Sequence, residues 1–282
     1  MFRKLPQYLS VTAIFLFSFV SSVLANGGEL ESEDHHVEVA EVITPTLEDI
    51  IRSNSIKIVF ISTAVVIITV ILTIILKNTS EGAKRILFAT ITIPIILTTI
   101  FMVGSTLFLN FKSISGGPVH WHASYEIWDC GNQIELLNPE GISNKVGSAT
   151  LHEHNDNWIH LEGVVIEEDQ ASLGNYFKVV GGRLTDDGFE LPTPDGFISR
   201  QNGDICSNGE EGNLQVFVYQ TDGKVFTQKK LDNPARYIIS PKGNIPPGDC
   251  IIVEFDTEEK DKTDRLCGQY KLQVLKGNLY GN

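Results

Sequence analysis

The chain has 282 residues, of which 42% are hydrophobic, and a formal charge of −13 from 22 basic and 35 acidic residues. Residues 111–282 alone carry 15 Lys plus Arg against 26 Asp plus Glu, a formal charge of −11. A surface this acidic repels nucleic acid and anionic lipid headgroups, which excludes both as partners, and it concentrates cations.

The first 25 residues read as a secretory signal. Arg3 and Lys4 precede the apolar run Val11–Val20, and Val23-Leu24-Ala25 supplies a small-residue cleavage pattern. An uncleaved anchor helix is the alternative. Residues 26–55 hold eight acids and one base, Arg52, and read as an acidic, weakly ordered exterior segment. His35-His36 within it reads as a solvated pair.

A transmembrane helical hairpin is expected over 56–110. Residues 58–76 and 86–109 contain no charged side chain, and each run is long enough for a bilayer core of about 30 Å. Pro94 is expected to kink the second helix. No ionisable group lies in either run, which argues against an intramembrane proton or ion pathway. The connector 77–85 carries Lys77, Lys84 and Arg85 against Glu81, so it is expected on the cytoplasmic side, with both flanking regions outside. Localisation follows as the cytoplasmic membrane, with the N-terminal segment and the C-terminal domain on the exterior.

Residues 111–282 form one domain of ordinary size, and two-residue periodicity dominates them. Val119, Trp121, Ala123, Tyr125 and Ile127 make one face of a strand; His120, His122, Ser124, Glu126 and Trp128 make the other. Asn213–Thr221 reads as a strand turning at Asp222-Gly223 into Lys224–Lys229, a hairpin with a primed turn. Cys250–Phe255 and Tyr270–Leu275 read as later strands. One short helix is expected, with Ser172 as N-cap and Gly181-Gly182 at its end. The fold class is mainly β, a sandwich or barrel-like exterior domain with one short helix, preceded by the two-helix hairpin.

All four cysteines, Cys130, Cys206, Cys250 and Cys267, lie in this domain, as two disulfides would require in an oxidising compartment. Of three connectivities, Cys250–Cys267 with Cys130–Cys206 is preferred, the first stapling neighbouring strands across the charged loop 256–265. Common catalytic signatures are missing: there is no Walker loop, Rossmann glycine fingerprint, nucleophile elbow or His-Glu-x-x-His helix. Asp186-Asp187 and Glu210-Glu211 read as solvated loop charges.

The histidines carry the functional signal. Five of seven fall between positions 120 and 160, as His120-Trp121-His122, His152-Glu153-His154 and His160. Residues i and i+2 of a strand share a face, so each His-x-His presents two imidazoles together. Asn155-Asp156-Asn157 is turn chemistry, and a three-residue loop there places His152 opposite His160. Opposed Cβ atoms lie about 4.5–5.5 Å apart, near enough to share an ion. Three or four imidazoles suit Cu(II) or Zn(II) equally, and only Met1 and Met102 exist, which excludes a thioether site for Cu(I). Glu126 and Glu162 share the histidine-bearing faces and are candidates to orient ring N–H groups.

The segments His120-Trp121-His122-Ala123, Leu151–Asp156, Ile159–Glu162 and Leu173–Phe177 resemble a little-characterised group of exported bacterial and archaeal His-rich β-domains. The likeness covers about residues 117–182 and implies a shared architecture, with no reaction attached. Asn155 before the acid and Tyr176 in the helix depart from the group's pattern. Three functions compete. The first is a membrane-anchored domain that captures or delivers a transition metal, presenting it to a membrane or exported protein partner. The second is an adhesion or protein-interaction domain with structural histidines. The third is a zinc-dependent hydrolase or lyase.

Overall fold

A computed structural model describes residues 46–76, 80–142, 144–239 and 247–281. Residues 1–25, expected to be a secretory signal, residues 26–45 with His35 and His36, and residues 77–79 of the connector lie outside the described residues. The chain divides into two units, one formed by residues 38–119 with 163–167, the other chiefly by 120–162 and 168–282.

The first unit contains helices α1 (Leu47–Ile75) and α2 (Glu81–Lys112). The acidic segment is helical from Leu47 onward rather than weakly ordered, because Thr46 and Asp49 close a reciprocal cap. The Asp49 N–H donates to Thr46 Oγ1 at 3.2 Å and the Thr46 N–H to Asp49 Oδ2 at 3.1 Å. The helices are 29 and 32 residues long, which is about 44 and about 48 Å of helix. Both are long and apolar enough to cross a membrane. Ile75 is 67% exposed and Phe88 69%, side chains that the core helix of a soluble protein would bury. Ser62 Oγ and Thr98 Oγ1 hydrogen-bond across the pair at 2.6 Å, which fixes their register. The helix α2 continues through Pro94.

The second unit is built on a nine-stranded mixed sheet. Its strands are β1 (Pro118–Asp129), β2 (Asn132–Ile134), β3 (Val146–Gly147), β4 (Leu151–Glu153), β5 (Trp158–Val164), β9 (Asn213–Asp222), β10 (Val225–Lys230), β11 (Asp249–Asp256) and β12 (Tyr280–Gly281). They lie in the order β12-β10-β9-β11-β1-β5-β4-β3, with β2 paired to the end of β1. Strands β6 (Arg183–Leu184), β7 (Gly188–Thr193) and β8 (Gly196–Gln201) make a separate three-stranded sheet that the sequence reading did not resolve. The large sheet is an open path, so no barrel closes. Parallel pairing of β1 with β11 makes β11 central and buries all but its last residue, as its unbroken Cys-Ile-Ile-Val-Glu-Phe run requires.

Helices rather than a second large sheet cover the faces. Helix α3 (Leu173–Val179) starts at the Ser172 cap and buries Leu173, Tyr176 and Phe177. These lie over the face that carries Ala123, Tyr125, Ile127, Ile159 and Leu161, all nearly inaccessible. The Tyr125 and Tyr176 rings meet edge-on at 5.5 Å. The opposite face is covered at β9, β10 and β11 by α4 (Gly268–Leu275), whose Tyr270 packs with Phe217, Tyr219, Phe226 and Ile252.

Segment 270–275 is thus helical, not a strand. Its Tyr270-Leu272-Val274 alternation imitates a strand, but only Tyr270 is buried, and Cys267, tied down by its disulfide, holds the N-cap position. Cys250–Cys267 accordingly joins a strand to a helix start instead of two strands. Cys130–Cys206 ties the β1–β2 turn to the segment after β8. Arg200 reinforces that tie by donating to both Asp129 oxygens at 2.7 and 2.8 Å. The β1–β2 connection is a two-residue turn in which Cys130 (φ 47°) and Gly131 (φ 87°) are both left-handed, as a type I′ turn demands. In the β9–β10 hairpin Asp222 pairs with Val225, so Gly223-Lys224 is the turn, one residue later than expected.

Candidate metal centre

The face that α4 covers at one side of the sheet continues across β1, β5 and β4, and there the histidines stand. Alternation along β1 turns Trp121 and Ala123 into the core and His120 and His122 outward. The hairpin β4–β5 turns through Asn155-Asp156-Asn157, with Asn155 and Asn157 both left-handed (φ 60° and 59°). Asparagine tolerates that conformation better than most residues, and the Trp158 N–H donates to Asp156 Oδ1 at 3.0 Å. The loop fixes the register: Leu151 opposes Leu161, and His152 opposes His160. Leu151, Glu153, Ile159 and Leu161 point into the α3 side, so His152, His154 and His160 share the face of His120 and His122.

Five rings form one patch. Centroids are 4.5 Å apart for His120–His122 and 4.7 Å for His122–His160. They are 4.8 Å apart for His154–His160, 4.9 Å for His152–His154 and 5.6 Å for the parallel His152–His160 pair. Within the patch, one ligating nitrogen from each of His120, His122 and His160 lies within 4.8 Å of the other two. His120 Nε2 and His122 Nε2 are 3.0 Å apart. Tetrahedral zinc at about 2.0–2.1 Å holds its ligand nitrogens about 3.3 Å apart, so the first pair is already near that spacing, and the His160 nitrogen lies within 4.8 Å of both. The Trp158 ring meets His122 edge-on at 5.7 Å and walls one side.

Carboxylates border the triad. Glu162 Oε1 lies 3.3 Å from His120 Nε2, and Asp156 Oδ2 lies 3.3 Å from His160 Nε2. Glu126, the other expected orienting acid, is engaged elsewhere: it accepts from the Trp128 indole at 3.1 Å and faces Lys271 at 3.7 Å. It sits six residues along β1 from His120, under the edge of α4, which explains why sharing a face did not bring it to the histidines. Asp156 was missed in the sequence because it reads as turn chemistry. Its proximity to His160 follows only from the loop's shape.

Burial holds His122 below the usual imidazole range, and the neighbouring His160 and His120 lower it further. Burial also brings His152 down to about 4, with Lys145 acting in the same direction and Glu162 against it. Both rings are therefore neutral at neutral pH, the form whose lone pair binds a metal. His152 is 2% exposed, and its Nδ1 has no hydrogen-bond partner among the described residues. His154 donates its Nδ1–H to the Asn144 carbonyl oxygen, a partner no sequence pattern announced.

The donor set could hold a metal ion. It offers three imidazoles, no thiolate (all four cysteines are in disulfides) and flanking carboxylates of opposite charge. Comparison with protein families, with curated proteins and with solved structures finds no match to this chain.

Proposed function

We propose that this protein is a membrane-anchored exterior domain that binds a transition metal, Cu(II) or Zn(II), through His120, His122 and His160, for capture or for delivery to a membrane or exported partner. The observation that carries the reading is the convergence of three imidazole nitrogens within 4.8 Å on the open part of one sheet face. Three protein ligands leave a fourth position for water, a partner's side chain or a transferred ligand. His120 is exposed, so an ion enters and leaves without unfolding the sheet.

The anchor in this reading is α1 and α2. The basic side chains Lys84 and Arg85 at the start of α2 support a cytoplasmic position for that end. The histidine domain then faces an oxidising exterior, where its two disulfides persist. Membership of the exported His-rich β-domain group belongs to the same reading. A purely structural role for the histidines fits less well. Buried polar atoms of a structural histidine find hydrogen-bond partners, and His152 Nδ1 has none among the described residues.

The test uses the full chain without a polyhistidine tag, purified in detergent micelles, with metal content measured after dialysis against Cu(II) or Zn(II). Wild type retains metal, and His120→Ala/His122→Ala, with wild-type circular dichroism, loses the triad ion. Wild type that takes up neither metal would make the histidines structural and turn the search to protein partners.

A further inference from the structure

The triad uses three of five clustered histidines, and the remaining two are not placed as bystanders. His160 stands between two groups. On the β1 side it faces His122 at 4.7 Å; on the β4 side it faces His154 at 4.8 Å and lies parallel to His152 at 5.6 Å. The nitrogens of the outer three, His120, His122 and His160, converge within 4.8 Å, and His152 and His154 stand behind them as an inner pair whose rings adjoin His160.

Two independent features of the inner group point to a ligand. The first is the hydrogen bond from His154 Nδ1–H to the Asn144 carbonyl. It fixes the tautomer and leaves the lone pair on Nε2, the arrangement by which protein backbone orients a metal-binding imidazole. The second is His152, 98% buried, with Nδ1 lacking any partner among the described residues. A buried nitrogen left without a partner is costly, and an ion held between His152 and His154 removes that cost. The charges are compatible with two ions: the carboxylates of Glu162 and Asp156 lie at the patch.

We propose that the cluster binds two divalent transition-metal ions, one in the outer triad and a second held by His152 and His154, with His160 shared between them. This rests on the outer-triad reading. His160 gives one ring nitrogen to each ion, and its ring proton passes to solvent as the second ion binds. The inner ion is the more enclosed, so the site provides a storage position behind an exchangeable one.

The experiment is a Cu(II) titration of the full chain in micelles, read by metal content after desalting and by electron paramagnetic resonance. Wild type should bind two ions, and two copper ions flanking one imidazole should couple, so that the integrated signal falls below two spins. His154→Ala removes a ring that packs no core and should leave one ion with a full, uncoupled one-spin signal. His152→Ala/His154→Ala should do the same, provided its circular dichroism is unchanged, and His154→Ala decides if it is not. One ion in wild type, or two ions undiminished by His154→Ala, overturns the second site while leaving the outer triad standing. Wild type that binds no ion overturns both readings.

Discussion

The two disulfides differ enough in the loops they close to allow a ranked test. Cys250 and Cys267 are 17 residues apart, Cys130 and Cys206 are 76 apart. Loop-closure entropy in the unfolded chain makes the first worth about 3.1 kcal/mol at 25 °C and the second about 4.5 kcal/mol. Replacing each pair with alanine should therefore cost more for the long loop, by about 1.4 kcal/mol on the same entropic account. The readout is convenient because all three tryptophans, Trp121, Trp128 and Trp158, lie in the sheet domain. Urea unfolding of the full chain in micelles, followed by tryptophan fluorescence, reports that domain and not the apolar helices. Repeating each comparison with both proteins reduced, when neither holds a cross-link, isolates the packing of the replaced sulfurs, and subtracting it leaves the cross-link. Cys250 and Cys267 are 0 and 1% exposed, so their sulfurs also fill space beside Tyr270. If the short-loop pair proves the more costly even after that correction, loop closure is the wrong account of how these bonds act.

Other predictions follow from single contacts. Glu254 is 1% exposed and accepts from Thr263 at 3.0 Å and from Arg265, whose guanidinium stands 3.6 Å over the Trp128 ring. Arg265→Met should cost about 3–5 kcal/mol by stranding a buried carboxylate. Glu254→Gln/Arg265→Met should cost less than the two single changes summed. A single-variant loss below about 1 kcal/mol in urea unfolding would mean that Lys260, 3.9 Å away, suffices as partner. A Cβ on Gly182 would sit 2.1 Å from the Glu190 carbonyl oxygen, so Gly182→Ala should destabilise the domain while leaving metal uptake per folded chain unchanged. The scale is about 1–3 kcal/mol, and a neutral result in thermal unfolding would show that the small sheet yields freely. Partial burial opposes ionisation of Asp256, yet the hydrogen bonds from Lys260 and the Thr257 N–H outweigh it and hold the carboxyl below the usual range. Its folded value being the lower one, the stability it adds is complete above about pH 4 and is lost as pH falls through that folded value. Asp256→Asn should flatten the acid limb of the stability curve by less than about 1 kcal/mol, and an unchanged limb would refute the assignment.

Local chemistry written in the sequence settled a good part of this molecule. Uninterrupted apolar runs identified both long helices, since their length and lack of charge are sufficient physical conditions. Ser172 and Gly181-Gly182 bracketed α3, and Asn155-Asp156-Asn157 set a hairpin register in which His152 opposes His160. Two-residue alternation put His120 with His122 on one face of their strand and His152 with His160 on one face of the hairpin, while bringing the two sets onto a common face took β1 lying beside β5. Even the start of α1 was written in a cap, Thr46 with Asp49, that the acidic composition around it obscured.

What only the tertiary structure decided concerns partners distant in sequence. Parallel pairing of β1 with β11 joins residues more than a hundred positions apart and makes an open sheet with helices on its faces, where regular strand spacing suggested a sandwich or barrel. The same alternation that read correctly along β1 misled at 270–275, because burial of Tyr270 alone, beneath a disulfide-anchored cap, suffices to seat a helix. Within the histidine patch, the sequence could list donors but not divide them. That Glu126 turns to Trp128 and Lys271, that Asp156 reaches His160, and that a backbone carbonyl at Asn144 orients His154 all depend on distances between separate elements. Alternation fixes which face a side chain takes, whereas the neighbour it meets there is set by how strands and loops pack.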